Sequence, residues 1–175
     1  GQRWLLRMLR QLRFANCYGR TCNTEQVRFQ KGGLRVQQQE HDAAVIARAL
    51  DKLIKEGSDG SYLIVAIDEV YLQFLSVGDR DEPWIYCEAV SNQFLAEDQK
   101  LEPEQITALT LLGFEETIES PNYSCDFSVS DTAILTDIGR MTLQMFATIY
   151  LCPSDSEVDI DLHIEEPLPE IQLDG

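Results

Sequence analysis

Three closely spaced hydrophobic runs constrain the fold of this chain most, because each has strand character and the links between them are short. The runs cover 61–68 (SYLIVAID), 71–78 (YLQFLSVG) and 83–91 (PWIYCEAVS), and they are rich in β-branched and aromatic residues. Parallel strands need a crossover of a dozen or more residues, whereas antiparallel neighbours can be joined by a tight turn. The sequence therefore predicts an antiparallel meander of three strands.

Helical patterns flank this meander. Before it, 42–54 has apolar residues at helical spacing, and Gly57 follows as a stop signal. After it, 103–112 begins with a proline and ends before Gly113, which predicts a short helix. Each helix has one apolar side, so both are expected to pack on the sheet.

The second half of the predicted domain also contains both strands and a helix. Strands are predicted at 114–118 and 122–129, and a long helix is predicted from about Ser130-Asp131, which are good capping residues, to about 150. The order is helix, three strands, short helix, two strands, long helix. It predicts an α+β fold with an antiparallel sheet of about five strands and helices packed on it.

Both ends of the chain carry weaker strand signals. Residues 27–36 predict a hairpin with Gly32-Gly33 as its turn, since alternate apolar residues would then share one face. Residues 158–165 alternate apolar and charged side chains, which predicts either an edge strand or an arm that adds to another sheet. Three parts are expected: a basic extension at 1–41, the α+β domain at 42–151 and an acidic strand and tail at 152–175.

Charge is distributed unevenly along the 175 residues, whose net charge is −16. Residues 1–40 hold 8 Lys+Arg and 2 Asp+Glu (+6), which leaves 6 and 28 (−22) for residues 41–175. Residues 41–175 are acidic enough to repel phosphate backbones and to attract basic partners. Nucleic-acid binding is therefore not expected.

The basic end contains a predicted amphipathic helix at 3–14, with arginines and leucines recurring every three or four positions. Three interpretations stay open: a helix that docks on its own acidic domain as an internal ligand, a membrane-surface helix, or a targeting segment. Its candidate contact residues are Arg3, Leu5, Arg7, Leu9, Arg10, Leu12 and Arg13.

Catalytic and metal chemistry have little support in the sequence. The five cysteines are an odd set without a CxxC pair, the two histidines are far apart, and no phosphate loop is present. We therefore expect no enzyme activity, no metal and no cofactor. No run is long and apolar enough to cross a bilayer, and the thiols fit a reducing compartment, so a soluble cytoplasmic protein is expected.

The apolar stripe of the last helix has two interpretations. Met141, Met145, Phe146 and Tyr150 could form ordinary core, or they could supply an adaptable groove or the seam of a homodimer. The pattern alone does not separate the two.

The segment 109–129 (LTLLGFEETIESPNYSCDFSV) and the helix after it carry a family resemblance. The Leu-x-x-Leu-Gly-Phe step, the Pro-Asn-Tyr turn and the element order over 42–151 resemble the bacterial type III secretion chaperone-like and YbjN-like superfamily. The resemblance implies a dimeric, non-catalytic chaperone or adaptor that holds client segments on an exposed sheet or groove. It implies contact residues on the second and third strands, for which Tyr71, Gln73, Leu75, Trp84 and Tyr86 are the candidates. A membrane-associated regulatory factor that uses residues 3–14 is the alternative.

Overall fold

The computed structural model describes residues 25–78, 82–118 and 120–165, with side chains from residue 37 onward. The candidate contact residues between Arg3 and Arg13 lie outside this part of the chain. The described elements form three α-helices and one six-stranded antiparallel sheet.

The first helix, α1, covers Glu25–Glu56 and replaces the predicted hairpin. The prediction of a Gly32-Gly33 turn was therefore wrong, as was the helix start at Asp42. No proline occurs between 25 and 56, and every residue added to an existing helix gains a backbone hydrogen bond. The two glycines disfavour the helix by about 1 kcal/mol each but do not block it sterically.

The predicted meander is confirmed, with strands β1 at Tyr62–Ile67, β2 at Val70–Val77 and β3 at Trp84–Ala89. Neighbouring strands are antiparallel, as the pairings Val65↔Leu72 and Phe74↔Cys87 show. Asp68 has φ 52° in the β1–β2 turn, a left-handed conformation that Asp tolerates better than most residues.

The short helix and the long closing helix are confirmed as α2 at Pro103–Leu111 and α3 at Thr132–Thr148. At the start of α3, the carboxylate of Asp131 accepts hydrogen bonds from the backbone N–H groups of Ala133 (2.9 Å) and Ile134 (3.3 Å). This is the capping role predicted for Asp131.

Two strands follow the short helix, as predicted, but the first is short. β4 covers only Glu115–Glu116, against a predicted 114–118, and β5 covers Tyr123–Ser128. Phe114 is fully buried and lies edge-on to Phe127 with ring centroids 6.4 Å apart. Because this side chain turns into the core, Phe114 anchors the chain at the sheet edge just before β4.

The acidic segment after the last helix contributes a sixth strand, β6, at Asp159–His163. It pairs antiparallel with β1, for example Leu63↔Leu162 and Val65↔Ile160. Of the two interpretations of this segment, the structure therefore has the edge strand, and the strand order is β4-β5-β3-β2-β1-β6. The sequence prediction of about five strands missed this one because it counted the segment as a separate tail.

The three helices and one face of the sheet share a single core. Buried apolar residues of α1, α2 and α3 join those of β1, β2, β3 and β5 in one cluster. The helices α1 and α3 also meet closely at Gly139, where an added Cβ would lie 2.5 Å from the carbonyl oxygen of Ala43. The side chain of Arg140 pairs with Glu40 beside this crossing at 2.7 Å. On the opposite face of the sheet, Tyr71 at the start of β2 packs against this core, whereas Tyr62, Ile64 and Leu75 do not.

Candidate polypeptide-binding surface

The strands of the meander alternate between a buried face and a face that retains exposure. In β1, β2 and β3 every residue that points to the helices is buried except Ser76 near the end of β2, and none that points the other way is fully buried. We call this second side of the sheet the open face. Its members are Tyr62, Ile64 and Ala66 of β1, Tyr71, Gln73, Leu75 and Val77 of β2, and Trp84, Tyr86 and Glu88 of β3, continued by Ser124, Asp126 and Ser128 of β5, Glu115 of β4, and Asp159, Asp161 and His163 of β6.

All five contact residues proposed from the sequence lie on the open face. Tyr71, Gln73 and Leu75 follow each other at every second position of β2, and Leu75 stands opposite Tyr86 of β3. Trp84 completes the group at the start of β3. The period of two in a strand explains why these residues share one side.

The open face carries apolar side chains beyond the five predicted contact residues. Val77 is 49% exposed and stands opposite Trp84, which is 44% exposed. Tyr62 and Ile64 of β1 belong to the same side but were not predicted. Their alternation with the buried Leu63 and Val65 was the signal that could have found them.

Tyr86 of the open face is hydrogen-bonded to an acidic residue. The hydroxyl of Tyr86 donates a hydrogen bond of 2.9 Å to Glu88, two positions along the same strand. Burial raises the pKa of Tyr86, and the hydrogen bond to Glu88 raises it further. The phenol therefore stays protonated at neutral pH and acts as a donor.

A second aromatic residue is held by the Pro-Asn-Tyr turn. Asn122 is buried, accepts a hydrogen bond from the backbone N–H of Ser91 (3.1 Å) and donates one to the hydroxyl of Tyr71 (3.1 Å). The Ser91 hydroxyl donates to the carbonyl of Pro121 at 2.6 Å. The turn thus fixes the end of β3 to the start of β5 and orients one side chain of the open face.

The Leu-x-x-Leu-Gly-Phe step at 109–114 has a structural explanation too. Leu109, Leu112 and Phe114 are buried, while Gly113 between them has φ 93°. That backbone conformation is strained for residues with a Cβ, so glycine is the residue that ends α2 at this point.

The proposed groove or dimer residues of α3 do not form a surface. Met141, Met145 and Phe146 are at most 2% exposed, and all three belong to the core. Tyr150 packs against the core and donates a hydrogen bond of 2.8 Å to the carbonyl of Val90. Of the two interpretations of this stripe, the structure therefore has the ordinary core, because the sheet and α1 already occupy the side that the stripe faces.

The thiols of the described chain are poorly suited to nucleophilic chemistry. Burial raises the pKa of Cys87 well above its ordinary value and raises that of Cys125 to about 12, with Asp126 and Glu115 adding to the second effect. The pKa of Cys152 is also raised by burial. A thiol must ionise to attack, so these cysteines are unreactive near pH 7. Among the residues that the structure describes, no group of three or more His, Cys, Asp or Glu side chains is placed to hold a metal ion.

A small cleft of about 240 Å³ lies beside the Pro-Asn-Tyr turn. Ligand pockets for small molecules typically measure about 300–1,000 Å³, so this cleft has room for a side chain more than for a cofactor. It is lined by Ser91, Asn92, Gln93, Ile106, Glu116, Thr117, Ser120, Pro121 and Tyr123.

The described helices include none with the length and apolar character needed to span a bilayer. This finding concerns residues 25–78, 82–118 and 120–165 alone.

The fold is an α+β domain with helices on one face of an antiparallel sheet and an open face on the other. Residues 43–162 match the family model described as TY-Chap3, T3SS (YopN, CesT) and YbjN peptide-binding chaperone 3. Because the match covers well over half of the chain, the protein belongs to this family of peptide-binding chaperones. The resemblance drawn from 109–129 is thereby confirmed, and the matched region continues through Leu162 of β6. Searches of curated proteins and of solved structures found no match.

Proposed function

We propose that the protein is a non-catalytic chaperone or adaptor that holds segments of other polypeptides on its open face. The observation that carries the proposal is the apolar pair Val77 and Trp84 on that face, which stand opposite each other where β2 ends and β3 begins and which expose about half of their surface. Trp and Tyr dominate the energetics of protein interfaces because they bury large rigid surfaces. Trp84 and Tyr86 are therefore the expected anchors for a client.

The test compares two pairs of substitutions in the full chain. Trp84→Ser and Val77→Ser remove apolar surface from the open face, whereas Leu111→Ser and Phe94→Ser remove it elsewhere, since those residues are 59% and 53% exposed. We expect the first pair to weaken binding of an unfolded model client by about tenfold or more, and the second pair to leave it within about twofold. Fluorescence anisotropy of the labelled client measures both.

Thermal unfolding of each variant serves as the control for folding. Equal losses in the two pairs would show that the open face has no special role, and the proposal would then be wrong. Exposed positions are chosen so that all four variants are expected to fold.

The protein is further proposed to act in the bacterial cytoplasm as a homodimer. The dimer needs a surface other than the α3 stripe, which the core already uses. Light scattering near 0.15 M salt, where the Debye length of about 8 Å weakens repulsion between chains of charge −16, measures the assembly. A single monomer mass at high micromolar concentration would contradict it.

The membrane-associated alternative rests on residues 3–14, outside the described chain, and stays a prediction. Binding to anionic vesicles that is lost on replacing Arg3, Arg7, Arg10 and Arg13 with Gln would favour it.

A further inference from the structure

The sheet carries charge of one sign only. The six described strands contain no Lys or Arg, but they contain the acidic residues Glu88, Glu115, Glu116, Asp126, Asp159 and Asp161. All of these except Glu116 lie on the open face, as their strand pairings show.

The acids stand on the strands to either side of β1 and β2, whose apolar side chains on the open face include Ile64 and Leu75. On one side, Asp159 and Asp161 of β6 pair with Ala66 and Ile64 of β1. The other side has Glu88 of β3, followed by Asp126 of β5, which pairs with Tyr86. The strands between them, β1 and β2, contribute only uncharged side chains to the open face.

Ion pairs do not neutralise these acids within the described part of the chain. The described pairs involve Lys52, Lys55, Lys100 and Arg140, all of which lie on helices or beside the short 3₁₀ turn at Glu97–Gln99. Asp159 and Asp161 stand two residues apart on one side of a strand, a separation of about 7 Å. This is within the Debye length of about 8 Å, so the two charges repel each other at physiological salt.

We propose that the open face selects partner segments that combine an apolar centre with Lys or Arg on both sides, and that Asp159, Asp161, Glu88 and Asp126 determine this specificity. The inference rests on the proposed function, since it names the chemistry of the client that the same face holds. A basic client satisfies both features of the surface at once. Its apolar residues cover the uncharged side chains of β1 and β2 that lie between the acids, such as Ile64 and Leu75, and its cations relieve the repulsion among the acids.

The strand spacing sets the distance between the two basic groups of the client. β6 lies three interstrand distances from β3, which is about 14 Å, and four interstrand distances from β5, which is about 19 Å. An extended segment covers this distance in about 4–6 residues, and a helical segment in about 10–13. Clients with basic residues closer together than this reach one border only.

The experiment uses a fluorescein-labelled probe peptide of about 12 residues with a Leu/Phe centre and Arg at both ends, and a matched probe with citrulline in place of each Arg. Citrulline keeps the shape of Arg and removes its charge. The protein is the full chain, both unchanged and with Arg3, Arg7, Arg10 and Arg13 replaced by Gln, so that its own basic segment cannot mask the face.

The decisive variant is the double substitution Asp159→Asn and Asp161→Asn. Its matched control, Asp98→Asn with Glu104→Gln, changes the net charge equally at exposed positions away from the open face. We expect the first to weaken binding of the Arg probe by about twofold to thirtyfold, the range for two exposed ion pairs, and the control to change it by less than about twofold. The citrulline probe should bind the unchanged protein more weakly and respond little to either variant.

The outcomes separate this inference from the proposed function. If both probes bind equally and only Trp84→Ser weakens them, the face holds polypeptides without charge selection, and the inference is wrong while the function stands. Equal effects of the two double variants would mean that total charge, and not the border of the open face, attracts the probe, which also overturns the inference. Absence of any effect of Trp84→Ser would overturn the proposed function itself. Tighter probe binding after the four Arg→Gln replacements would support the inference, because it would show that a basic amphipathic segment competes for the face.

Discussion

Gly139→Ala is the sharpest test of how the helices pack. In an isolated helix this change would stabilise by about 0.5–1 kcal/mol, because alanine loses less backbone freedom on folding. Here the new Cβ would lie 2.5 Å from the carbonyl oxygen of Ala43 and 3.2 Å from its carbonyl carbon. Ordinary contact begins near 3.4 Å, so α1 and α3 must separate by up to about 0.9 Å. Since the obstacle is backbone, no side chain can rotate away.

Overpacking of this kind typically destabilises by about 1–3 kcal/mol, and the loss outweighs the gain in helix propensity. We expect a net loss of about 1–2 kcal/mol, which lowers the melting temperature of a 175-residue chain by about 2–8 °C. Calorimetry or urea unfolding measures it. Ala147→Gly, at an exposed position of α3, calibrates the propensity of the same helix and should destabilise by about 0.5–1 kcal/mol. A more stable Gly139→Ala protein would refute the close approach of the two helices.

Two further predictions follow from the burial of particular side chains. Met145→Asp should unfold the protein, and not separate a folded dimer, because it places an unpaired charge in the core. Ala147→Asp, at an exposed position of the same helix, should leave the protein folded. Circular dichroism with light scattering distinguishes these outcomes, and a folded monomeric Met145→Asp protein would contradict the prediction. In the folded chain the pKa of Cys125 is raised to about 12, so between pH 9 and 12 the folded chain keeps a proton that the unfolded chain has lost. Folding stability should therefore fall as pH rises, by up to about 1.4 kcal/mol per pH unit. Urea unfolding at pH 8, 9 and 10 should show a steeper fall in the unchanged protein than in Cys125→Ala, and parallel slopes would mean that the thiol ionises equally in both states.

The meander was predictable because three signals agreed. Strand composition, period-two alternation and short links all favoured adjacent antiparallel strands, and local signals of this kind survive folding. The ends of α2 and α3 were predictable for the same reason, since Pro103, Gly113 and Asp131 act on their own backbone neighbours.

The N-terminal half of α1 was not predictable from the same rules. Gly32-Gly33 is a strong turn signal when strands flank it, and the alternation in 27–36 suggested such strands. These residues continue a helix whose later part, with the buried Ile46 and Leu50, is already fixed by tertiary packing. Such packing overrides a local preference of about 1 kcal/mol per residue.

The placement of β6 and of the α3 stripe shows the limit of pattern reasoning about partners. Alternating residues from Asp159 to His163 identify a strand, but not the strand that it pairs with. An apolar helix stripe identifies a buried surface, but not whether the same chain buries it. Both questions were decided by contacts between residues far apart in sequence, namely β1 with β6 and α3 with α1 and the sheet.

The acids of the open face have a consequence for assembly as well as for binding. An exposed apolar face that contains Trp84 and Val77 would favour contact between two copies of the chain. In an arrangement with one face on another, the acids of Asp126 and β6 would also approach their counterparts, where the surroundings screen them less than bulk water does. Two open faces are therefore poor partners for each other, while a basic segment meets no such repulsion. A homodimer of this protein is accordingly expected to leave the open face free, so that Asp159→Asn with Asp161→Asn should change client affinity without changing the mass measured by light scattering.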